Sequence, residues 1–279
     1  MRPTIGCLIR FKDSATTLPR VLERLQAQTI RPTVILGVDS GSSDGSAELI
    51  KAAGGEVISW HAAYNHPAVI NFGIQHLHTD FVLILSSHTT LEDDDALERM
   101  AGTLEDPRVA CVSAKWDDDP FYSDRIAWDE LRTKGLKFCS IFSNSMGMIR
   151  RESWVVTPFD ETLATAEDYA WAVEQVKRGR VCRRLGLHFN YQRSGHNRNG
   201  EFANIVFQIA RHHKLGVAWL GVRRSLTQWL TGIFSRRQTP HYAHLKAWFG
   251  QFIADTTLII GIETPRHQSV SPMLKTPVC

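Results

Sequence analysis

The chain has 279 residues, of which 43% are hydrophobic and 22% charged, and carries a net charge of +3. That composition fits an ordinary soluble globular protein of one large domain, or one domain plus an appendage. Its five cysteines, Cys7, Cys111, Cys139, Cys182 and Cys279, form no CxxC pair, which argues against a disulfide framework and for a reducing compartment.

The charge is uneven. Residues from 201 onward carry nine Lys/Arg against three acids, leaving residues 1–200 at −3. A basic, Trp-containing end on a mildly acidic body implies an anionic partner or a solvated helical face. The start, MRPTIGCLIR, enters a strand at once, so no signal peptide is expected. No run of about 18 uncharged apolar residues predicts a transmembrane helix. The expected location is cytoplasmic.

In chain order, strand and helix signals alternate. Ile5–Ile9 reads as a strand, and Leu18, Val21, Leu22 and Leu25 recur at helical spacing. Thr33–Val38 is a β-branched strand ending in the polar turn Asp39–Ser46, where Ser43 or Asp44 can cap the next helix. Val57–Trp60 predicts a short strand, and Pro67–Leu77 a helix opening on proline. Phe81–Leu85 is an unbroken apolar run followed by Ser86, Ser87 and His88, as expected of a central strand buried on both faces. Asp93 or Asp94 can cap a helix with Leu97, Met100, Ala101 and Leu104 on one face, and Val109–Ala114 follows as a strand.

Residues 115–137 show no steady period and predict a long loop with a short helix. Met146–Ile149 and Val181–Leu185 read as strands around a helix from Ala166 to Arg178, with Thr165 as its cap. Past Gly200 the pattern becomes helical, so the expected division is an α/β body over 1–200 and a helical, basic extension over 201–279.

A largely parallel sheet covered by helices would gather four polar clusters at the carboxyl ends of its strands. These are Arg10–Asp13, Asp39–Asp44, Ser86–His88 and Glu167-Asp168. Each has a plainer reading as a turn, a helix cap, a satisfied histidine or a complement to a helix dipole. The first turn has no GxGxxG, which excludes a nicotinamide-binding Rossmann enzyme. Asp117–Asp119 and Glu92–Asp95 read as solvated charge.

Five stretches in order carry a resemblance: CLIRFKDSATTLPRVLERLQAQ, VDSGSSDGSAELI, NHPAVINFGIQHLHTDFVLILSSH, NSMGMIRRESWVVTPFDETLATAEDYAWAVEQVKRG and YQRSGHNRNGEFANIVFQIARHH. Together they resemble the family 2 glycosyltransferases with a GT-A nucleotide-sugar-binding fold, rhamnosyltransferase-like members in particular. The resemblance implies an inverting enzyme that moves a sugar from a nucleotide donor to a glycan or lipid-linked acceptor. It implies that Asp39 bonds the nucleobase, with Arg10, Phe11, Asp13 and Ser42 around the nucleoside. Asn71 and Gly73 would lie near the donor sugar, or serve only as a helix-face amide and a packing glycine. Asp168, beside Glu167, would be the general base, with Asn144, Arg150 and Arg151 on the acceptor side.

The chain departs from the family where Asp-x-Asp normally binds a divalent cation, for Ser86, Ser87 and His88 stand there, with Ser86 and Ser87 expected against the nucleotide. His88 and His196 are candidate ligands for Mn²⁺ or Mg²⁺, and imidazole suits Mn²⁺ better. The alternatives are neutralisation of the diphosphate by Arg193, Arg198 or protonated His88, or a nucleotide-sugar-binding protein without catalysis. The basic tail, with Trp219, Trp229 and Trp248, would face a membrane beside a lipid-linked acceptor or form a homodimer interface. No nucleic-acid partner is expected.

Overall fold

The computed structural model describes residues 3–116, 121–137, 141–192 and 199–216. The first elements are β1 (Ile5–Phe11), α1 (Leu18–Gln26), β2 (Val34–Asp39), α2 (Ser46–Ala52), β3 (Glu56–Ser59) and α3 (His66–Gln75). There follow β4 (Phe81–Ser86), β5 (Thr89–Leu91), α4 (Ala96–Leu104), β6 (Val109–Ala114), β7 (Arg125–Ile126) and α5 (Trp128–Lys134). The last are β8 (Met146–Arg150), α6 (Arg151–Val156), α7 (Glu167–Lys177), β9 (Val181–Leu185), β10 (Phe189–Tyr191) and α8 (Asn199–His212).

The chain divides into two compact units, residues 1–128 with 139–193, and residues 129–138 with 194–279. The second unit thus takes in a segment from the middle of the chain as well as the end. Within it, Leu136 N–H donates to the Gly216 carbonyl at 2.8 Å. Gly135 makes that approach with φ +81°, and a Cβ there would sit 2.5 Å from the same carbonyl oxygen. The expected membrane-facing or dimer-forming stretch, 217–279, lies outside the described residues, as do Asp117–Asp119, Arg193, His196 and Arg198. Among the described residues no helix is long and apolar enough to cross a membrane.

In the first unit an eight-stranded sheet runs β3-β2-β1-β4-β8-β6-β9-β7. Strands β3, β2, β1 and β4 are parallel, as are β6 and β9, while β8 runs antiparallel between β4 and β6. A small antiparallel pair, β5 with β10, stands apart from it. The sheet is mostly parallel and flanked by helices, as the alternating pattern predicts. The three-residue β5 and β10 and the two-residue β7 were not predicted, being too short to show a period.

The two-residue repeat of a strand sorts the side chains. Ile5, Cys7, Ile9 and Phe11 of β1 join Phe81, Leu83 and Leu85 of β4 in a cluster with Leu18, Val21, Leu22 and Leu25 of α1 and Leu97, Met100 and Leu104 of α4. Phe11 is therefore a core residue rather than a surface along a nucleoside. Its ring lies over Gly37, where an added Cβ would be 2.8 Å from it. The other face of β1 carries Leu8, against which Gly73 of α3 packs so closely that a Cβ would fall 2.3 Å from Leu8 Cδ1.

The helix starts differ from prediction. Asn65 caps α3, its Oδ1 accepting from Ala68 N–H at 2.9 Å. The cap position of α7 is Ala166, with φ 60° and no side-chain bond, rather than Thr165. Asp95 precedes α4 and Gly45 precedes α2 without side-chain caps. Asp44 instead clasps two segments, accepting from Ser46 N–H at 3.1 Å and Ala15 N–H at 2.8 Å.

Asn71 holds α3 to the chain after α6. Its Nδ2 donates to the Phe159 carbonyl (2.8 Å) and Glu161 (2.9 Å), and its Oδ1 accepts from Trp154 Nε1 (2.8 Å) and Phe159 N–H (3.1 Å). Both donors and both lone pairs of the amide are spent, and the residue is 3% exposed, so nothing remains for a donor sugar. Asn71→Ala strands two buried donors and is expected to cost roughly 2–4 kcal/mol. A lowered urea midpoint checks this, and an unchanged midpoint contradicts it.

Candidate active site at the carboxyl edge of the sheet

The parallel strands β1, β2 and β4 all end at one edge, and the polar residues that follow them are wired together there. Asp39 Oδ1 accepts from Gly41 N–H (3.1 Å), Ser42 N–H (2.9 Å) and Ser42 Oγ (2.7 Å), which folds the turn on itself. Ser42 Oγ in turn accepts from Asp13 N–H at 3.0 Å, and Asp13 Oδ1 accepts from Ser43 N–H at 2.9 Å. Asp13 adopts φ 45° to reach across. These bonds join the loops after β1 and β2 and engage Oδ1 of the half-buried Asp39, while no hydrogen bond engages its Oδ2.

At the end of β4 the alternation separates the two serines. Ser86 pairs in register with Arg10, and its Oγ accepts from Arg10 Nη2 at 3.3 Å. Ser87 turns the other way and shares a 3.0 Å hydrogen bond with Ser14 Oγ. Ser14 and Ser46, which the sequence did not single out, complete that link through a 2.7 Å bond from Ser14 N–H to Ser46 Oγ.

His88 lies just beyond, half-buried, its ring 5.0 Å from that of Tyr191 in an edge-on contact. Its Nε2 is buried without a hydrogen-bond partner. Burial, and then the nearby Arg10 charge, push its pKa below the ordinary histidine value, so the imidazole stays neutral. A neutral imidazole with an unused nitrogen fits a cation ligand, whereas Ser86 and Ser87 are already engaged. Among the described residues no group of three His, Cys, Asp or Glu is gathered around a metal position. A groove of about 330 Å³ borders His88 beside the start of α1, lined by Thr16, Thr17, Arg20, Thr90, Asn190 and Gln192 among others.

The carboxylate pair opens α7. Glu167 is 2% exposed, and its Oε1 accepts from His66 Nδ1 at 2.6 Å and from Asn144 Nδ2. Asp168 is half-buried and accepts from two backbone groups, Tyr169 N–H at 2.9 Å and Asn144 N–H at 3.4 Å. Arg10 Nη2 donates to the Asn144 carbonyl at 3.2 Å, so one guanidinium ties β1, β4 and the approach to β8 together. Burial and the adjacent Glu167 charge push Asp168 up to about 7, against the opposing pull of its backbone donors and Arg10. Glu167 moves the other way: burial alone would raise it, but the His66 charge and hydrogen bond outweigh that and hold it ionised.

Arg10, Asn144, Glu167 and Asp168 thus form one cluster, with Ser86 bonded to Arg10. Arg10 is 8% exposed, and its Nη2 is engaged by Ser86 Oγ and the Asn144 carbonyl. Arg150 and Arg151 are not there. Because β8 is antiparallel, Arg150 pairs with Phe81 at the opposite edge, and its guanidinium binds the carbonyls of Leu104, Asp106 (3.1 Å) and Val109 (3.2 Å). Arg151 N–H donates to the Asp80 carbonyl at that same edge. His66 is a further residue that the sequence did not single out; its signal was the Asn65-His66-Pro67 opening of α3.

The fold and sequence have relatives. The O-antigen chain rhamnosyltransferase RfbN of Salmonella typhimurium is 26% identical over an alignment of 195 residues, and the match covers 63% of this chain and 62% of that protein. The chain therefore spans less than two thirds of that relative. A mannosyltransferase from Pyrobaculum calidifontis superposes with TM-score 0.62 at 15% identity, over 94% of this chain and 89% of its own. Glucosyl-3-phosphoglycerate synthase from Mycobacterium tuberculosis superposes with TM-score 0.57 at 13% identity, over 77% and 81%. The family described as Glycosyl transferase family 2 matches residues 7–154, more than half of the chain, which therefore belongs to that family.

Proposed function

We propose that the chain is an inverting glycosyltransferase acting on a nucleoside-diphosphate sugar, with Asp168 as general base. The observation that carries this reading is the half-buried Asp168 carboxyl beside an ionised Glu167, poised near neutrality. An ideal base has a pKa near the working pH. Asp168 would take the proton of an acceptor hydroxyl as that oxygen attacks the anomeric carbon. The bond from that carbon to the diphosphate breaks, and the nucleoside diphosphate leaves with the electron pair. One displacement from the face opposite the leaving group inverts the centre.

Family membership supports the reading, and so do the bound ligands of the structural relatives. The Pyrobaculum enzyme is in complex with GDP-Man and Mn²⁺, and the mycobacterial synthase with Mn²⁺, UDP-Glc and phosphoglyceric acid. The RfbN similarity favours a deoxysugar donor and a glycan or lipid-linked acceptor. The open Oδ2 of Asp39 is the group on this edge suited to a nucleobase N–H. His88 would hold a divalent cation through Nε2. Bound there, the cation supplies neutralisation of the leaving diphosphate.

A thermal-shift screen of nucleotide sugars with Mn²⁺ identifies the donor, because binding raises the melting temperature. With that donor, kcat/KM is expected to rise with pH and reach half its plateau at about pH 7. The sign follows from the base being active only when deprotonated, so a raised pKa loses activity as pH falls through it. A rate flat between about pH 5 and about pH 8 contradicts the assignment. For His88→Ala, Mn²⁺-dependent donor affinity is expected to fall at least about tenfold. Equal donor affinity in EDTA and in Mn²⁺ would remove the cation from this site.

A further inference from the structure

Asp168 does not sit alone in the α7 turn, and what faces the pair is unequal. Glu167 Oε1 receives the His66 imidazole from α3 at 2.6 Å and the Asn144 amide. Asp168 receives only backbone N–H groups, from Tyr169 at 2.9 Å and Asn144 at 3.4 Å. Arg10, from β1, is a permanent cation near the pair, and its Nη2 donates to Ser86 and to the Asn144 carbonyl. Cys111 of β6 also faces Asp168, but burial first of all holds its thiol neutral. Tyr64, ahead of α3, has its ring 6.2 Å from that of His66.

His66 is held for this contact by its place in the fold. It opens α3, between the capping Asn65 and Pro67, and Asn65 Nδ2 also donates to the Glu161 carbonyl at 2.8 Å. The His66 side chain keeps 30% of its surface exposed while the Glu167 side chain keeps 3%. The imidazole can therefore trade protons with solvent, whereas the carboxylate it touches cannot easily be charged without a partner. Two adjacent carboxyls, one buried and one half-buried, titrate as a pair, and the contacts of each decide which one keeps the shared proton.

We propose that His66 is a positioning residue for the base: its imidazolium pins the pair's single negative charge on Glu167, so the proton stays on Asp168 until the pair loses its second one. This rests on the reading of Asp168 as base, yet its test needs neither donor nor acceptor. The probe is ¹³C-carboxyl NMR of full-length protein labelled at aspartate, with the Asp168 signal identified by its loss in Asp168→Asn.

In the wild type that signal is expected to titrate in one step near neutrality. Glu167→Gln removes the like charge and moves the step down by about one pH unit or more. His66→Asn keeps an N–H donor near the Nδ1 position without a charge. It is expected to split the Asp168 titration, with part of the ionisation at least about one pH unit lower. In the Glu167→Gln background, His66→Asn adds no further shift, because His66 acts through Glu167. A single unchanged step in His66→Asn, or an equal shift with and without Glu167, overturns the proposal. Should His66→Asn fail to fold, ¹⁵N imidazole titration of His66 replaces it. The proposal requires His66 to lose its proton at lower pH in Glu167→Gln than in the wild type, and an unchanged titration overturns it. Transfer that survives in Asp168→Asn refutes the base reading while leaving these titrations intact.

Discussion

The site depends on keeping two consecutive carboxyl groups, Glu167 and Asp168, at the start of one helix and largely out of water. Adjacent buried charges of one sign are costly, so the surroundings supply different compensation to each. The helix N-terminus favours both acids. Beyond that, Glu167 takes an imidazole and an amide, and Asp168 takes only backbone donors. Ala166 turns the chain into α7 with φ 60°, a conformation a non-glycine residue adopts at a cost of order 1–3 kcal/mol. The outcome is one carboxylate fixed as charged and one left close to neutrality.

The sheet explains why these groups meet. Arg10 and Ser86 are register partners on neighbouring parallel strands, so both side chains leave the same face at the same edge. Their neighbours Phe11 and Ser87 leave the other face, one into the core and one onto Ser14. The antiparallel insertion of β8 reverses what its flanks do. The residue two places before it, Asn144, arrives at the carboxylates, and the residues at its far end, Arg150 and Arg151, are carried to the opposite edge.

Much of this was legible in the sequence because hydrophobic period and strand-helix alternation are local signals. The apolar run Phe81–Leu85, the β-branched Thr33–Val38 stretch and the helical spacing of Leu18 to Leu25 each appear, within a residue, where the pattern predicts. What was not legible depends on strand direction and on which face a side chain leaves. Nothing local marks β8 as antiparallel, so Arg150 and Arg151 looked like site residues. Nothing local marks Phe11 as a core ring or Asn71 as a saturated structural amide. His66 stands about a hundred residues from Glu167 in the chain, and only the packed fold brings the two together.

Ser86, Ser87 and His88 are the chain's departure from the family pattern, and the geometry divides their work. The serines are structural links, and Nε2 of a neutral His88 is buried without a hydrogen-bond partner. The account stands or falls, however, on Asp168. The most direct test measures sugar transfer and donor binding side by side in wild-type protein and Asp168→Asn. The account predicts that turnover falls at least about 100-fold while donor affinity is nearly unchanged. Transfer at the wild-type rate by Asp168→Asn would contradict it.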